Sequence, residues 1–387
     1  MERELAAQAV TRGPGQHFCG YYDKFPWNQS GRYLAALRTG FMERPPRADD
    51  RAAIGLVDLH QGDRWVPLAE TQAWNWQQGT MLQWLGSDAE HTLVYNAATS
   101  EGFAAVVHDV STGRQRVLPR PVYALSHDGR QAVTPNFARL AQTRPGYGYQ
   151  GPPDPWEAQL HPADDGIWWM DVETGAHRLV VSLDQVVGWR HTPSMDGVKH
   201  WFNHLQFSTD DRRFVFLHRW VEAATGRRLT RMFTANPDGG DLWCLNEDEM
   251  TSHFDWRDGE WLLAWARRHG VGDRYFLFRD RTGQTEVLGE GVLTEDGHCS
   301  YSPDRRWVLT DTYPDRREGK RTLVLWDLER GERTDVGRFF AIPERITGEI
   351  RCDLHPRWSR DGRQVCFDSV HEGTRQVYVM DVSSVVG

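Results

Sequence analysis

One pattern, an anchor residue followed by a polar turn and then a short apolar run, occurs seven times along the 387 residues. The anchors are Trp27, Trp84, Leu125, Phe207, Trp256, Tyr301 and Trp358. A second signal, an apolar run that ends in a polar turn, alternates with the first and also occurs seven times, as at 56–59 and 379–382. Short runs of β-branched and aromatic residues between Gly, Asp and Ser are typical of half-buried strands. The alternation predicts seven antiparallel sheets and therefore an all-β fold, a seven-bladed β-propeller.

The ring of blades is expected to use residues 1–387 as a single domain, although length alone would predict two or three. The 82 residues between Leu125 and Phe207 hold one outer-strand signal, which indicates one blade with a long loop at 141–165. That blade's second strand is predicted at Gln131–Phe137. The last blade lacks an outer strand, and we expect Leu5–Thr11 to supply it and close the ring. Eight blades, or six with a distorted seventh segment, are the alternatives.

Composition limits the partners and the compartment. The net charge is −9 with mixed signs, and no basic run stands out, so neither nucleic acid nor a membrane is the expected partner. The N-terminus lacks the pattern of a signal peptide, and no apolar stretch approaches 18 residues. Five cysteines at irregular spacing argue against a disulfide framework. These features predict a cytoplasmic protein.

Four histidines share one position of the repeat, three residues before the anchor: His204, His253, His298 and His355. Composition alone would put about 0.3 His in a column of seven. Equivalent positions of stacked repeats lie on a ring, so the four imidazoles are expected to converge near one mouth of the central channel. Uncharged imidazoles at close quarters indicate shared protons or a metal ion.

A metal site is one interpretation of this cluster. Asp353 and His355 are two residues apart in a strand and therefore share a face, next to His298 of the adjacent blade. Two imidazoles and a carboxylate suit a divalent ion such as Mn²⁺ or Zn²⁺, and recruitment of the Cys352 thiolate would favour Zn²⁺. Cys352 faces the opposite way unless the strand is bulged. The alternative is a polar, water-filled channel without an ion.

Loops between the second and third strands open onto the same mouth. They carry arginine and aromatic side chains, among them Arg139, Arg144, Tyr147, Tyr149, Arg219 and Trp220. Guanidinium groups bind carboxylates bidentately, and aromatic faces stack on sugars. The ligand is therefore expected to be an anionic, ring-shaped molecule. We predict sugar contacts from Trp74, Trp76, Gln78, Tyr149, Arg219 and Trp220, with loop packing as the alternative for the aromatic residues.

The chain resembles two families of polysaccharide lyase. The ring with histidines at its channel mouth is similar to the oligogalacturonate lyases, and several segments look closer to the ulvan-lyase-like propellers. Those segments are 17–27, 75–79, 144–149 and 351–358. Both families cleave uronate-containing polysaccharides by β-elimination. This resemblance implies neutralisation of a uronate carboxylate, removal of the C5 proton by a base, and protonation of the departing O4.

The resemblance also implies roles for individual residues. In oligogalacturonate lyases three His and a Gln hold a metal. His298 and His355 match two of those His, Asp353 stands where the third is expected, and the Gln has no counterpart. His253 matches a catalytic His, with His204 in support. Tyr123 and Arg139 match the Tyr and Arg pair of the ulvan lyases.

One ulvan-lyase residue is missing from the chain. A neutralising His of the second blade is replaced by Trp76-Gln77-Gln78, which leaves open another uronate substrate or an inactive relative. We interpret the chain as a carbon–oxygen lyase that cleaves a uronic-acid-containing oligosaccharide and uses a divalent ion. The alternatives are a non-catalytic propeller that binds a sugar or a protein, and a hydrolase that uses a metal-bound water.

Overall fold

Seven four-stranded antiparallel sheets make up the computed structural model, which describes residues 2–387. Each sheet is one blade, so the predicted all-β, seven-bladed propeller is confirmed. Met1, which the predicted domain includes, lies outside the described residues. Within residues 2–387, no helix combines the length and the apolar character that crossing a membrane requires.

The strands of each blade are numbered here from the channel outward. Blade 1 contains Gln16–Phe18, Tyr33–Thr39, Ala52–Asp58 and Arg64–Thr71. Blade 2 contains Gln83–Trp84, Thr92–Thr99, Gly102–Asp109 and Gln115–Leu118. Blade 3 contains Ala124–Leu125, Gln131–Thr134, Gly166–Asp171 and His177–Ser182. Blade 4 contains His200–Phe207, Phe214–Val221, Arg228–Ala235 and Trp243–Asn246.

The remaining three blades follow the same order. Blade 5 contains Thr251–Trp256, Trp261–Arg268, Gly272–Arg279 and Thr285–Leu288. Blade 6 contains Ser300–Tyr301, Trp307–Asp311, Lys320–Asp327 and Glu332–Phe340. Blade 7 contains Arg357–Trp358, Gln364–Ser369, Gln376–Asp381 and, outermost, Ala7–Ala9 from the start of the chain.

The N-terminal strand closes the ring, as the sequence predicted. Ala7–Ala9 pairs antiparallel with Gln376–Asp381, with Ala7 opposite Met380 and Ala9 opposite Tyr378. Blade 7 therefore has four strands although the chain ends after its third. This pairing covers an edge that would otherwise present unpaired backbone groups.

Short helices interrupt the all-β pattern. The α-helices are Phe137–Thr143, Leu183–Gly188 and Ser383–Val386, and the 3₁₀-helices are Gly86–Asp88, Pro193–Met195 and Gly348–Ile350. The predicted strand Gln131–Phe137 is wrong at its end, because the strand stops at Thr134 and a helix begins at Phe137. Pro135 has no N–H to continue the ladder, and the Asn136 side chain caps the helix by accepting a hydrogen bond from the Arg139 amide.

The hydrophobic core lies between the blades. Each of the seven blade–blade interfaces has its own cluster of buried apolar side chains. The anchors Trp27, Trp256 and Trp358 are buried in these clusters. Packing between neighbouring blades therefore holds the innermost strands in place, and those strands position the channel residues.

Candidate functional site

Three of the four repeat histidines are in ring contact. The ring centroids of His253 and His298 are 4.1 Å apart, and those of His298 and His355 are 4.4 Å apart. His204 reaches the others through Tyr22, whose ring lies 5.5 Å from His204 and 5.7 Å from His253. All four imidazoles belong to or immediately precede innermost strands of blades 4 to 7 and are almost fully buried.

Tyr21 and Tyr22 fill the centre of this histidine ring. The Tyr22 hydroxyl lies 3.2 Å from His204 Nε2, donates to the Phe254 carbonyl at 2.8 Å, and accepts from the Phe254 amide at 2.9 Å. The Tyr21 ring lies 4.9 Å from His204 and 5.2 Å from His355. Sequence reasoning gave these tyrosines no role, because they precede the first anchor and lie outside the repeat.

The segment before the tyrosines is held tightly against two blades. Arg357 of blade 7 donates to the carbonyls of Gly20 and Tyr21. Gly20 has a φ of 108°, and a Cβ there would lie 2.8 Å from the Gln78 carbonyl oxygen. Only glycine suits this position, because both the backbone conformation and the close approach exclude a side chain.

Irregular backbone directs two of the imidazoles into the channel. His204 and His355 have φ values of 53° and 43°, a region that residues with a Cβ rarely adopt. The pairing of the first two strands of blade 4 shifts register between Asn203 and Gln206, around His204. Such a bulge turns a side chain away from the alternation of a regular strand.

His298, Asp353 and His355 form a group that could hold a metal ion. Their potential ligand atoms all lie within 4.8 Å of one another. The Asp311 carboxylate lies 2.8 and 3.0 Å from His298 Nδ1, which holds the proton on that nitrogen and turns the Nε2 lone pair towards the group. Within residues 2–387, Nε2 of His298 and Nε2 of His355 are buried without a hydrogen-bond partner. This donor set fits a divalent cation.

Two arginines also hold the Asp353 carboxylate. Arg351 Nε lies 2.7 Å from Oδ2 and Arg321 Nη2 lies 2.6 Å from Oδ1. Burial alone would raise the pKa of Asp353, but Arg351 and Arg321 outweigh burial and hold it well below its usual range. The carboxylate is therefore ionised and fixed in position. Any ion would share it with the guanidinium groups.

Cys352 does not belong to this group, and the prediction that Asp353 and His355 lie in a strand is wrong, because the innermost strand of blade 7 begins only at Arg357. Its side chain is buried in the apolar cluster between blades 1 and 2, and burial raises the pKa of the thiol to about 11. The interpretation in which its thiolate joins the ligand set is not compatible with this arrangement, because the side chain is packed among apolar residues and lies outside the group of potential ligands.

Arginine side chains and Tyr147 lie beside the group formed by His298, Asp353 and His355. The Tyr147 hydroxyl accepts a hydrogen bond from Arg351 Nη2 at 2.7 Å, and the Arg144 guanidinium lies 4.5 Å from the Tyr147 ring. Burial alone would raise the pKa of Tyr147, but Arg351 and Arg144 outweigh burial and lower it to about 8. Tyr147 is thus the phenol of this mouth that ionises most easily.

Arg219 extends the positive charge of this mouth. It is buried, and the only hydrogen bond of its side chain within residues 2–387 runs from Nη2 to the Thr251 carbonyl at 3.1 Å. Burial, followed by repulsion from Arg228 and Arg144, lowers the pKa of Arg219 to about 9. Over the described part of the chain, none of these three arginines has a carboxylate within 4 Å. Their charge is available to an anionic ligand.

Tyr123 and Arg139, the predicted catalytic pair, lie outside the histidine ring. The Tyr123 hydroxyl accepts from Gln78 Nε2 at 2.6 Å, and burial raises its pKa well above the usual value. Arg139 donates to the carbonyls of His200 at 2.6 Å, Leu160 at 2.5 Å and Gln159 at 2.9 Å. It also pairs with buried Asp154. These bonds occupy the guanidinium of Arg139, which holds the long loop of blade 3 against blade 4.

The predicted sugar-stacking aromatics are packed inside the protein. Trp74 and Trp76 belong to the core between blades 1 and 2, and their indole N–H groups donate to the carbonyls of Asp50 and Arg44. Tyr149 stacks on Phe137 at 4.3 Å. Trp220 packs against His218 and His200. Each is at most 2% exposed, which leaves no face for a sugar.

Comparisons with known proteins show a likeness of fold. No family model matches the chain, and no curated protein matches its sequence. The structure is similar to that of an oligogalacturonate lyase from Vibrio parahaemolyticus, with 15% identity, a TM-score of 0.67, and coverage of 98% of this chain and 94% of that chain. It is also similar to an oligogalacturonate lyase in complex with manganese, with 16% identity and a TM-score of 0.69. That alignment covers 97% of this chain and 93% of that chain.

A third structure has the same architecture, although it belongs to a protease. The β-propeller domain of the Trilobed protease from Pyrococcus furiosus aligns at 13% identity with a TM-score of 0.52, and the alignment covers 94% of each chain. The predicted resemblance to oligogalacturonate lyases is therefore confirmed at the level of the propeller fold.

Proposed function

We propose that this protein is a lyase that cleaves a uronate-containing oligosaccharide by β-elimination at the mouth bearing Tyr147. The observation that carries the proposal is the combination of a tyrosine whose pKa is lowered to about 8 with three nearby arginines that have no carboxylate partner within residues 2–387: Arg144, Arg219 and Arg228. The likeness in fold to oligogalacturonate lyases supports the choice of substrate class.

The arginines would prepare the substrate for proton removal. The C5 proton of a uronate is weakly acidic, because the neighbouring carboxylate already carries a negative charge. A guanidinium fork neutralises that charge and stabilises the additional charge that develops when the proton leaves. Arg219 is the best placed to do so, since it is buried and its guanidinium makes a single hydrogen bond to the protein within residues 2–387.

Tyr147 would act as the base. With a pKa of about 8, about a tenth of the molecules carry the phenolate at pH 7. The phenolate oxygen takes the C5 proton, the C4–C5 double bond forms, and the C4–O4 bond breaks with its electron pair on O4. The protonated Tyr147 can then return the proton to O4. Tyr147 meets the requirements of a base better than Tyr123, whose pKa is raised.

The histidines would form the floor of the site. Burial, followed by repulsion from His298, lowers the pKa of His253, so its imidazole is neutral, and Asp296 fixes the ring by a 3.0 Å contact to Nδ1. A neutral, fixed imidazole can orient sugar hydroxyls by hydrogen bonding. The roles predicted from sequence for His253 and His204 in proton transfer stay predictions.

His298, Asp353 and His355 would hold a divalent ion, for which the manganese in the name of one structural neighbour is a further support. When bound, the ion would add positive charge next to the uronate carboxylate. Asp311 holds the His298 ring in the orientation that ligation needs.

An ultraviolet assay tests the proposed function. Incubation of the whole protein with Mn²⁺ and a panel of oligo-uronides should raise absorbance near ~235 nm, the signature of the conjugated elimination product. Tyr147→Phe is the matched control, because it removes a single hydroxyl. Saturable binding without any rise in absorbance would instead indicate a non-catalytic sugar-binding propeller. New reducing ends without the absorbance would indicate a hydrolase.

We place this activity in the cytoplasm. All five cysteines are free, four of them are buried, and a chain with this many unpaired thiols suits a reducing compartment. Localisation of a tagged full-length protein would test the assignment.

A further inference from the structure

One exposed aromatic side chain lies beside the repeat histidines. Within residues 2–387, four aromatic side chains other than histidine make ring contacts with them: Tyr21, Tyr22, Phe254 and Tyr313. The first three are at most 3% exposed, whereas Tyr313 is 38% exposed. The ring centroid of Tyr313 lies 6.2 Å from that of His298. Tyr313 is therefore the aromatic ring of this site that a ligand in the channel mouth can reach.

The backbone on both sides of Tyr313 is held in place. Tyr313 belongs to the loop between the second and third strands of blade 6. Before it, the Thr312 amide donates to the Thr322 carbonyl at 3.0 Å, and the Thr312 hydroxyl accepts from the Thr322 amide at 3.0 Å. After it, Pro314 disfavours helical backbone at Tyr313, and the Asp315 carboxylate accepts from three backbone amides of the same loop. The ring is thus exposed on a fixed backbone, so binding a ligand orders little additional chain.

Arg321 covers one face of the Tyr313 ring. Its guanidinium carbon lies over the ring, 5.4 Å from the centroid, and its Nη2 lies 2.6 Å from Asp353 Oδ1, which fixes the guanidinium. Arg321 is buried, so the face that it covers is turned towards the protein, and the exposed area belongs to the opposite face and the edge of the ring. An aromatic ring that is backed on one face and open on the other can pack against the C–H groups of a pyranose.

We propose that Tyr313 positions one sugar of the substrate by packing its open ring face against the C–H groups of that sugar. This inference rests on the proposed function, because the ligand is the same uronate-containing oligosaccharide, and it concerns the binding of that ligand. The stacked sugar lies next to His298, so its carboxylate and hydroxyls remain available to the polar groups of the mouth. Tyr313 thereby takes the role that the sequence predicted for four aromatic residues that are buried: Trp74, Trp76, Tyr149 and Trp220.

Calorimetric titration of the Tyr147→Phe protein tests this role, because that variant is expected to bind the substrate without cleaving it. The probes are trigalacturonate, triglucuronate and trimannuronate, each in the presence of Mn²⁺. Adding Tyr313→Ala or Tyr313→Leu should weaken the binding of the tightest probe about tenfold, because both changes remove the flat ring face. Adding Tyr313→Phe keeps the ring and should retain the affinity within about twofold. Trp243→Ala is the matched control, since Trp243 is 37% exposed on the outermost strand of blade 4, and it should leave the affinity unchanged.

Three results would overturn the role of Tyr313. The first is that none of the three probes binds to the Tyr147→Phe protein. The second is that the protein with Tyr313→Leu binds the tightest probe as strongly as its parent does. The third is that Tyr313→Phe loses as much affinity as Tyr313→Ala, which would mean that the hydroxyl and not the ring face contacts the sugar.

The ultraviolet assay with Tyr147 intact separates this role from the elimination reaction. Tyr313→Ala should raise KM about tenfold and leave kcat within about twofold, because the stacked ring binds the ground state and the transition state alike. A rise in absorbance with the wild type and an unchanged KM in Tyr313→Ala would overturn the role of Tyr313 and leave the lyase activity standing. Binding that depends on Tyr313 without any rise in absorbance would support the stacking role and overturn the elimination reaction.

Discussion

Replacing Tyr147 by phenylalanine removes the ionisable hydroxyl and keeps the aromatic ring. The variant keeps the ring and its packing against Arg144, and it loses the hydroxyl that bonds to Arg351. A pKa of about 8 instead of the ordinary value near 10 means that the folded protein stabilises the phenolate by about 3 kcal/mol. Tyr147 is almost fully buried, so solvent screens little of this interaction.

The sign of the stability effect follows from the depressed pKa. The contribution of the Tyr147 phenolate to the free energy of unfolding is fully present above about pH 10, near the pKa of tyrosine in the unfolded chain. It is lost as the pH falls through about 8, the pKa of Tyr147 in the folded protein. The difference in unfolding free energy between the wild type and Tyr147→Phe should therefore grow by about 2 kcal/mol from pH 7 to pH 9.5. Urea unfolding of both proteins at the two pH values measures this difference. If the difference in unfolding free energy between the two proteins is the same at both pH values, the pKa of Tyr147 is not lowered.

The same variant tests the role of Tyr147 in catalysis. The kcat/KM of the wild type should rise with pH and level off above about 8, because the proposed mechanism uses the phenolate as the base. Tyr147→Phe should lose about 10²- to 10⁴-fold in kcat/KM, the usual contribution of a general base. A variant that keeps both its rate and its pH profile would remove Tyr147 from the mechanism.

Three further predictions concern the metal, the substrate and the core. His298→Ala combined with His355→Ala should abolish the binding of about one divalent ion per chain, as measured by elemental analysis after dialysis; unchanged metal content would place the ion elsewhere. Arg219→Gln should lower kcat/KM by about 10- to 150-fold, because a hydrogen bond to a charged group contributes about 1.5–3 kcal/mol. Arg219→Lys keeps the positive charge and should recover part of that loss. Trp76→Ala should lower the free energy of unfolding by about 3–5 kcal/mol in urea titrations, because this side chain is buried between blades, and the KM should stay the same. A raised KM with an unchanged free energy of unfolding would instead indicate that Trp76 contacts the sugar.

The repeat made the architecture predictable from the sequence. Strand periodicity and turn residues recur in each blade, so the number of blades and the closing strand near Ala7–Ala9 followed from counting. The same argument brought His298 and His355 together, since equivalent residues of neighbouring blades face one channel. Where a segment departs from the repeat, periodicity carries no information, and the helix Phe137–Thr143 was missed for that reason.

The parts of the site that sequence did not predict depend on contacts distant along the chain. Tyr147 ionises easily because Arg351, from blade 7, reaches it across the channel mouth. Arg139 and Trp76 were plausible ligand contacts by residue type, yet their burial is set by a loop and by a neighbouring blade. Residue type indicates which chemistry is available, and only the three-dimensional arrangement decides which groups are free to perform it.

The position of Tyr21 and Tyr22 has a consequence for biosynthesis. Their neighbours include His355 and Arg357, which are translated more than 300 residues later. The centre of the histidine ring is therefore complete only after blade 7 has been synthesised and has docked against blade 1. A translation product that stops before blade 7 would therefore lack the contacts that hold Tyr21 and Tyr22 in the centre of the histidine ring.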